Sequence, residues 1–174
     1  MGASRDYAGQ DCSLARTLEL VGERWSLLII RDAFFGVRRY NDFLVHLDLP
    51  RAVLADRLAL LVEHGILTKH RYQLSPPREE YLLTDKGRDL WPAVYALAQW
   101  GERHTTPAEG RRRVFRHAEC GTEVDPTGTC PKCARRIPPE DIELRAGPGI
   151  RRPRTDPISR ALEQPHRLLE PLTS

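Results

Sequence analysis

Four residues in the C-terminal half have the types and spacing of metal ligands: His117 and Cys120, then, after nine intervening residues, Cys130 and Cys133. Two ligand pairs, each held on a tight turn by a two-residue gap, supply the tetrahedral Cys3His set that Zn2+ prefers. Gly121 lets the backbone turn close to the ion, and Pro131 stiffens the second turn. Four protein ligands leave no open position for water, so the expected role is structural rather than catalytic. A segment of about 25 residues cannot build a core without a metal or disulfide staple, which favours the metal over free thiols. A metal sensor and a thiol switch are the other functional readings of the same residues.

The remaining cysteine, Cys12, precedes the first helical segment. A helix N-terminus can lower a thiol pKa and favour the reactive thiolate; packing as a small apolar residue is the alternative. Of the 27 basic residues only Lys69, Lys86 and Lys132 are lysines. Arginine suits bidentate contact with phosphate and guanine, although a GC-rich genome would produce the same bias. No nucleotide-binding glycine loop and no Ser/His/Asp set on one element is present, and His46, His64 and His70 bear no evident relation to Cys12, which argues against an enzyme.

A chain of 174 residues allows one ordinary domain, or a smaller one with an appendage. With 40% hydrophobic and 29% charged residues it can form a core. The net charge of +3 settles little, since residues 1–104 balance 14 basic against 14 acidic groups. A nucleic-acid argument must therefore rest on placement. Apolar runs such as Leu27 to Ile30 are far short of a membrane span, and the start lacks an apolar signal core. Together with clustered cysteines, these features lead us to expect a cytoplasmic protein.

Four of the 14 prolines precede residue 105 and ten follow it, which places a domain boundary there. Before it, Leu14, Leu18 and Val21 are helically spaced up to Gly22, and Trp25 to Phe34 reads as a core helix stopped by Gly36. Asn41 or Asp42 can cap a third helix that buries Phe43, Leu44 and Leu47. Pro50 starts a fourth, with Leu54, Leu58 and Leu61 as its buried stripe and Gly65 as its end. Leu67 to Leu74 and Glu80 to Thr84 form a hairpin around the tip Ser75-Pro76-Pro77-Arg78. Thr84 then caps a long helix to about His104, with Leu90, Val94, Leu97 and Trp100 or Gly101 along one face, and Pro92 kinks it or breaks its hydrogen bonding. Apolar residues on more than one side of that helix call for a partner, and a second subunit supplies one. Four helices, a hairpin and a long helix make a mainly α fold with a small β-hairpin wing. This is a winged helix-turn-helix with flanking dimerisation helices over 1–104. A small appendage resembling a minimal zinc ribbon spans 105–146, and a flexible basic tail spans 147–174, with Arg151, Arg152 and Arg154 clustered in it and a transient helix around Ile158 to Leu162.

The residues from Cys12 to Gly101 resemble the HxlR family of bacterial regulators, a branch similar to the MarR winged-helix proteins. The resemblance rests on ordered features: Cys12 with Leu14 to Leu18; Gly22 to Ile29; Arg39-Tyr40-Asn41-Asp42-Phe43; Leu54 to Leu58 with Gly65 beyond; and Pro76 to Tyr81 leading into Leu83-Thr84-Asp85-Lys86-Gly87. It implies a homodimeric, DNA-binding transcription factor, with repression as the family-level expectation and an inverted-repeat operator on double-stranded DNA. It also leaves a small-molecule or redox effector open, with Cys12 as the candidate sensing thiol. Two departures stand out: Pro50 replaces a Ser-like cap, and Glu79 replaces an apolar wing residue.

In such a domain the fourth helix enters the major groove, so Arg51, Ala52 and Val53 are the candidate base contacts. Asp56 could accept from a cytosine amine or merely repel phosphate. Arg38 and Arg39 precede the third helix as candidate phosphate anchors. Arg78 at the wing tip is placed for the minor groove, and Lys69 and Arg71 share one strand face for phosphates. Arg57 is as well suited to an internal carboxylate as to DNA. The rival function is a protein-interaction adaptor that keeps the winged fold and uses the ribbon and tail to bind another protein.

Overall fold

The computed structural model describes residues 7, 9–150 and 154–172. Its first four helices are α1 (Ser13–Val21), α2 (Ser26–Phe34), α3 (Tyr40–Leu47) and α4 (Arg51–Glu63). Leu54, Leu58 and Leu61 of α4 are completely buried, as the three- and four-residue spacing requires of a core-facing stripe. Pro50 occupies the N-cap rather than the first helical turn. Gly65, at φ +66°, then releases the chain from α4 into the hairpin. Neither Asn41 nor Asp42 caps α3. Arg39 holds that position, and Asp42 lies buried in the first turn.

Strands β1 (Leu67–Gln73) and β2 (Arg78–Leu83) pair antiparallel, Leu67 opposite Leu83 and Lys69 opposite Tyr81, with a bulge between Arg71 and Gln73. The wing is tied back to the helices, because the Tyr81 amide donates to the Arg38 carbonyl and Arg39 bridges to Glu80.

The long helix expected from Thr84 is two helices. Thr84 caps only α5 (Asp85–Arg88), its hydroxyl accepting from the Gly87 amide. The chain restarts as α6 (Trp91–Thr105) with Pro92 in the first turn, where a missing N–H is harmless, so proline begins a helix instead of kinking one. The face assignment changes too. Trp91, Val94, Tyr95 and Gln99 are buried, whereas Leu97 and Trp100 are 56% and 54% exposed.

Beyond α6, β3 (Arg113–His117) pairs with β6 (Ile142–Ala146), which pairs with β7 (His166–Arg167) in a three-stranded antiparallel sheet. The small hairpin of β4 (Thr129–Cys130) and β5 (Arg135–Arg136) projects from it. Phe115 of β3 packs edge-on against Tyr95 at 5.2 Å, and Trp91 stacks obliquely on Phe34 at 4.9 Å, so one apolar core runs from α2 into the sheet.

The tail, expected to be flexible, folds back. Asp156 caps α7 (Pro157–Ala161), and Ile158, Leu162, Leu168 and Leu172 are buried. The Leu169 amide donates to the Phe34 carbonyl and the Leu172 amide to the Gly36 carbonyl. Gly36, at φ +91°, is required there, because a Cβ would collide with the Glu170 carbonyl. Burial of four spaced aliphatic side chains outweighs the solubilising effect of the prolines and arginines. Of the basic cluster, Arg151 and Arg152 lie outside the described residues; Arg154 donates to the Val45 carbonyl on α3.

Candidate nucleic-acid interface and metal centre

The helix-turn-helix presents the start of α4. Arg51 and Ala52 are exposed, Val53 is half-buried against the core, and Asp56 is exposed on the following turn. The Tyr40 hydroxyl donates to the Arg51 carbonyl at 2.9 Å, which fixes the first turn of α4 against α3. Between the start of α3 and the wing lies a cleft of about 420 Å³ lined by Arg39, Tyr40, Asn41, Asp42, Tyr72, Arg78 and Glu79. The Arg39 guanidinium sits 4.9 Å over the Tyr72 ring, a cation–π contact that orients it toward this cleft.

Not every sequence candidate is free. Arg38 turns the other way, donating to the Leu169 carbonyl of the tail at 2.9 Å. Lys69 lies 3.5 Å from Glu79 and 5.7 Å over the Tyr81 ring, and Arg71 stands opposite Glu79 in the ladder. Glu79, the departure noted in the wing, therefore pairs with Lys69 and lies across the ladder from Arg71. Arg78 is exposed at the tip. Arg57 reaches Glu23 at 3.8 Å, which is the internal carboxylate reading. Asn41 and Tyr72 were not foreseen at this surface. Asn41 read as a cap and Tyr72 as a strand former, and only the packing of the wing on α3 brings them together.

The second constellation is a candidate metal centre. His117, Cys120, Cys130 and Cys133 bring their ligand atoms within 4.8 Å of one another. His117 Nδ1 is 3.2 Å from Cys120 Sγ and 3.5 Å from Cys133 Sγ, and Cys120 Sγ is 3.5 Å from Cys130 Sγ. Around a tetrahedral ion with bonds of about 2.0–2.3 Å, ligand atoms lie about 3.6–3.8 Å apart, so the donor set fits one ion with little adjustment. Ligation through Nδ1 leaves the ring proton on Nε2, which faces the Glu119 carboxylate at 3.6 Å, the acceptor that orients the ring; Arg135, a donor only, pairs with that same carboxylate at 3.2 Å. A hydrogen bond from Thr122 brings the Cys120 thiol down to about 6, and bonding to Cys120 pushes Cys133 up to about 11. One thiolate thus forms readily and resists the next; a bound cation removes that resistance.

The centre is built on strong supports. Asp125 accepts from the Thr127 and Thr129 amides and so shapes the turn before β4. Arg111 clasps Glu123 with both terminal nitrogens, and the Tyr95 hydroxyl contacts the Val124 and Asp125 carbonyls from α6. Cys12, by contrast, stands alone. It is exposed at the N-cap of α1, and the backbone amides of Ala15 and Leu14 lower its pKa, so packing does not account for it.

A family model for the HxlR-like helix-turn-helix matches residues 20–109, more than half of the chain. The chain belongs to the HxlR-like helix-turn-helix family. An uncharacterized HTH-type transcriptional regulator of Mycobacterium tuberculosis is 44% identical over 139 residues, 80% of this chain and 88% of the relative. An alignment that long cannot fit within residues 1–104, so it takes in part of the extension. A second relative, from Bacillus subtilis and also described as an HTH-type transcriptional regulator, is 29% identical over 57% of this chain and 80% of its own length. Among solved structures, the transcription factor PA1607 is 41% identical with a TM-score of 0.60, covering 66% of this chain and 80% of its own. The oxidized form of the redox regulator HypR is 30% identical with a TM-score of 0.51, covering 55% of this chain and all of the HypR chain. This HxlR-like protein is a DNA-binding helix-turn-helix transcriptional regulator and not an enzyme. No helix among its described residues is long and apolar enough to cross a membrane.

Proposed function

We propose that this protein is a homodimeric transcriptional repressor, working in the cytoplasm, that reads an inverted-repeat operator and carries a structural Zn2+ in each chain. The observation that carries the reading is a pair of uncovered apolar helix faces beside an exposed recognition helix. Leu14 and Leu18 on α1 are 64% and 37% exposed, and Leu97 and Trp100 share a face of α6. Such side chains call for a partner surface, and a second copy supplies one by two-fold symmetry. Two copies would set their α4 helices about one helical turn of DNA apart, roughly 34 Å, with repression following from occlusion of polymerase.

In this reading residues 1–104 recognise DNA and dimerise, and residues 105–146 form the zinc ribbon. Arg51, Ala52 and Val53 contact bases, while Arg39, Arg78, Lys69 and Arg71 hold phosphates or the minor groove. Arg38 supports the interface through the tail. The Cys3His donor set matches zinc, whose closed tetrahedral sites are structural. Cys12, exposed and with a lowered pKa, is the redox-sensitive residue of this reading, as the likeness to HypR also suggests. The adaptor reading is weaker, because Arg39, Arg51 and Arg78 all remain on the recognition side. Sedimentation equilibrium with and without Trp100→Glu tests the dimer. The wild type should sediment as a dimer, and the variant as a folded monomer that has lost operator binding. A wild type that is monomeric at micromolar concentration contradicts it.

A further inference from the structure

Between α2, α6 and the C-terminal extension lies a cavity of about 930 Å³. Its volume falls in the range that holds small organic ligands, roughly 300–1,000 Å³. Aromatic side chains wall it: Phe35 from the loop after α2, Trp91 and Tyr95 from α6, and Phe115 from β3. These α6 residues lie on the inward side of the helix, away from Leu97 and Trp100, so the cavity is separate from the uncovered face. Much of its wall, including Arg113 and Phe115, comes from beyond residue 109, outside the family match.

Four arginines, Arg31, Arg112, Arg113 and Arg154, line it with two glutamates, Glu102 and Glu163. Arg31 is bound to the fully buried Asp32 carboxylate at 2.6 Å. Arg112 lies near Glu102, and Arg154 reaches Asp156 at 3.2 Å. Arg113 is different. Among the described residues its guanidinium has one partner, the Leu162 carbonyl at 2.6 Å, and no carboxylate within ion-pair distance. Burial, followed by the neighbouring Arg31 charge, lowers its pKa against the smaller opposing pull of Asp32 and Glu163, as is expected of a cation held away from water with no carboxylate in direct contact. Guanidinium forms its best contacts with planar carboxylates, through two parallel N–H donors.

We propose that this cavity binds a small organic anion consisting of one carboxylate on an aryl body, the carboxylate on Arg113 and the ring among Trp91, Tyr95 and Phe115. The remaining guanidinium donors of Arg113 take the carboxylate oxygens. Offset or edge-on ring contacts with the aromatic wall hold the body. Binding is measured without DNA, so its failure would not bear on the regulator reading.

The test is isothermal titration of the full-length, metal-loaded protein with 1-naphthoate and with its neutral analogue 1-naphthamide. One naphthoate per chain should bind at least about tenfold more tightly than the amide, as a charge-assisted hydrogen bond in a shielded site implies. Arg113→Met should abolish that preference while leaving amide binding in place. Ala98→Phe, which fills the cavity from α6 without touching Arg113, should remove both ligands and keeps the test decisive if Arg113→Met does not fold. Equal affinity for acid and amide, no binding of either, a preference that survives Arg113→Met, or full binding to Ala98→Phe would overturn the proposal.

Discussion

Arg38 and Arg39 are neighbours in sequence and face opposite tasks. The backbone at Arg39 is extended, φ −95° and ψ 145°, so successive side chains alternate. Arg39 meets Tyr72 in the cleft and Arg38 meets the tail carbonyl of Leu169. Sequence reading could find both cations as a pair beside α3 but could not separate them, because Leu169 lies 131 residues away. Arg39→Ala should therefore weaken DNA binding and reduce the salt slope by about one, the signature of a lost phosphate contact. Arg38→Ala should leave the slope unchanged and lower the melting temperature instead. Arg51→Ala should lower operator affinity by about 1–3 kcal/mol with little effect on unrelated DNA, read from paired titrations. The cluster of His117, Cys120, Cys130 and Cys133 was legible because spacing alone brings the four together. The residue after the last ligand is another matter: Ala134 adopts φ +52°, a conformation costly for any side chain. Ala134→Gly should stabilise the metal-loaded protein by about 1 kcal/mol in thermal melts.

The helix-turn-helix was readable because α4 shows its leucine stripe at helical spacing and glycines punctuate the chain around it. What escaped were elements whose local signal is weak. The tail strand β7 is two residues long, and its role depends on β6, already placed by the metal ribbon. The break between α5 and α6 was hidden by continuous helical spacing through Leu90, and only Pro92 marked it. Buried charge between α2 and α3 was equally invisible. Asp32 has no exposure and is held by Arg31 and, through Oδ2, by His46 Nδ1 at 2.7 Å. Burial pushes its carboxyl up, but Arg31 and His46 outweigh that and hold it below the usual range. A depressed folded pKa adds stability above the unfolded value of about 3.9 and loses it as pH falls through the folded value. Asp32→Asn should thus be destabilised by about 1–3 kcal/mol at neutral pH, from the loss of the charged hydrogen-bond acceptor that Arg31 and His46 share, since Arg31 itself is one-third exposed. The gap to wild type in urea melts should narrow below about pH 4. Acid loss of metal affects both proteins and cancels in that comparison.

Across the whole molecule, the metal ribbon and the DNA-reading head are joined through one sheet. His117 ends β3, β3 pairs with β6, β6 with β7, and residues after β7 clasp the loop from Phe34 to Arg38 that leads into α3. Stripping the ion with a chelator should release one metal per chain, lower the melting temperature and weaken operator binding, because the clasp loses its scaffold. Metal analysis and circular dichroism check the first two effects. The exposed arginine-bearing start of α4 and the cleft between α3 and the wing are the proposed reading surface for a particular duplex. The most direct test is a titration of the purified, metal-loaded protein against the duplex flanking its own gene and against an unrelated duplex, each at two salt concentrations. The account predicts sequence-selective binding, tight on the first duplex, with a steep loss of affinity as salt rises. Weak binding to both duplexes with equal affinity at both salt concentrations would contradict it.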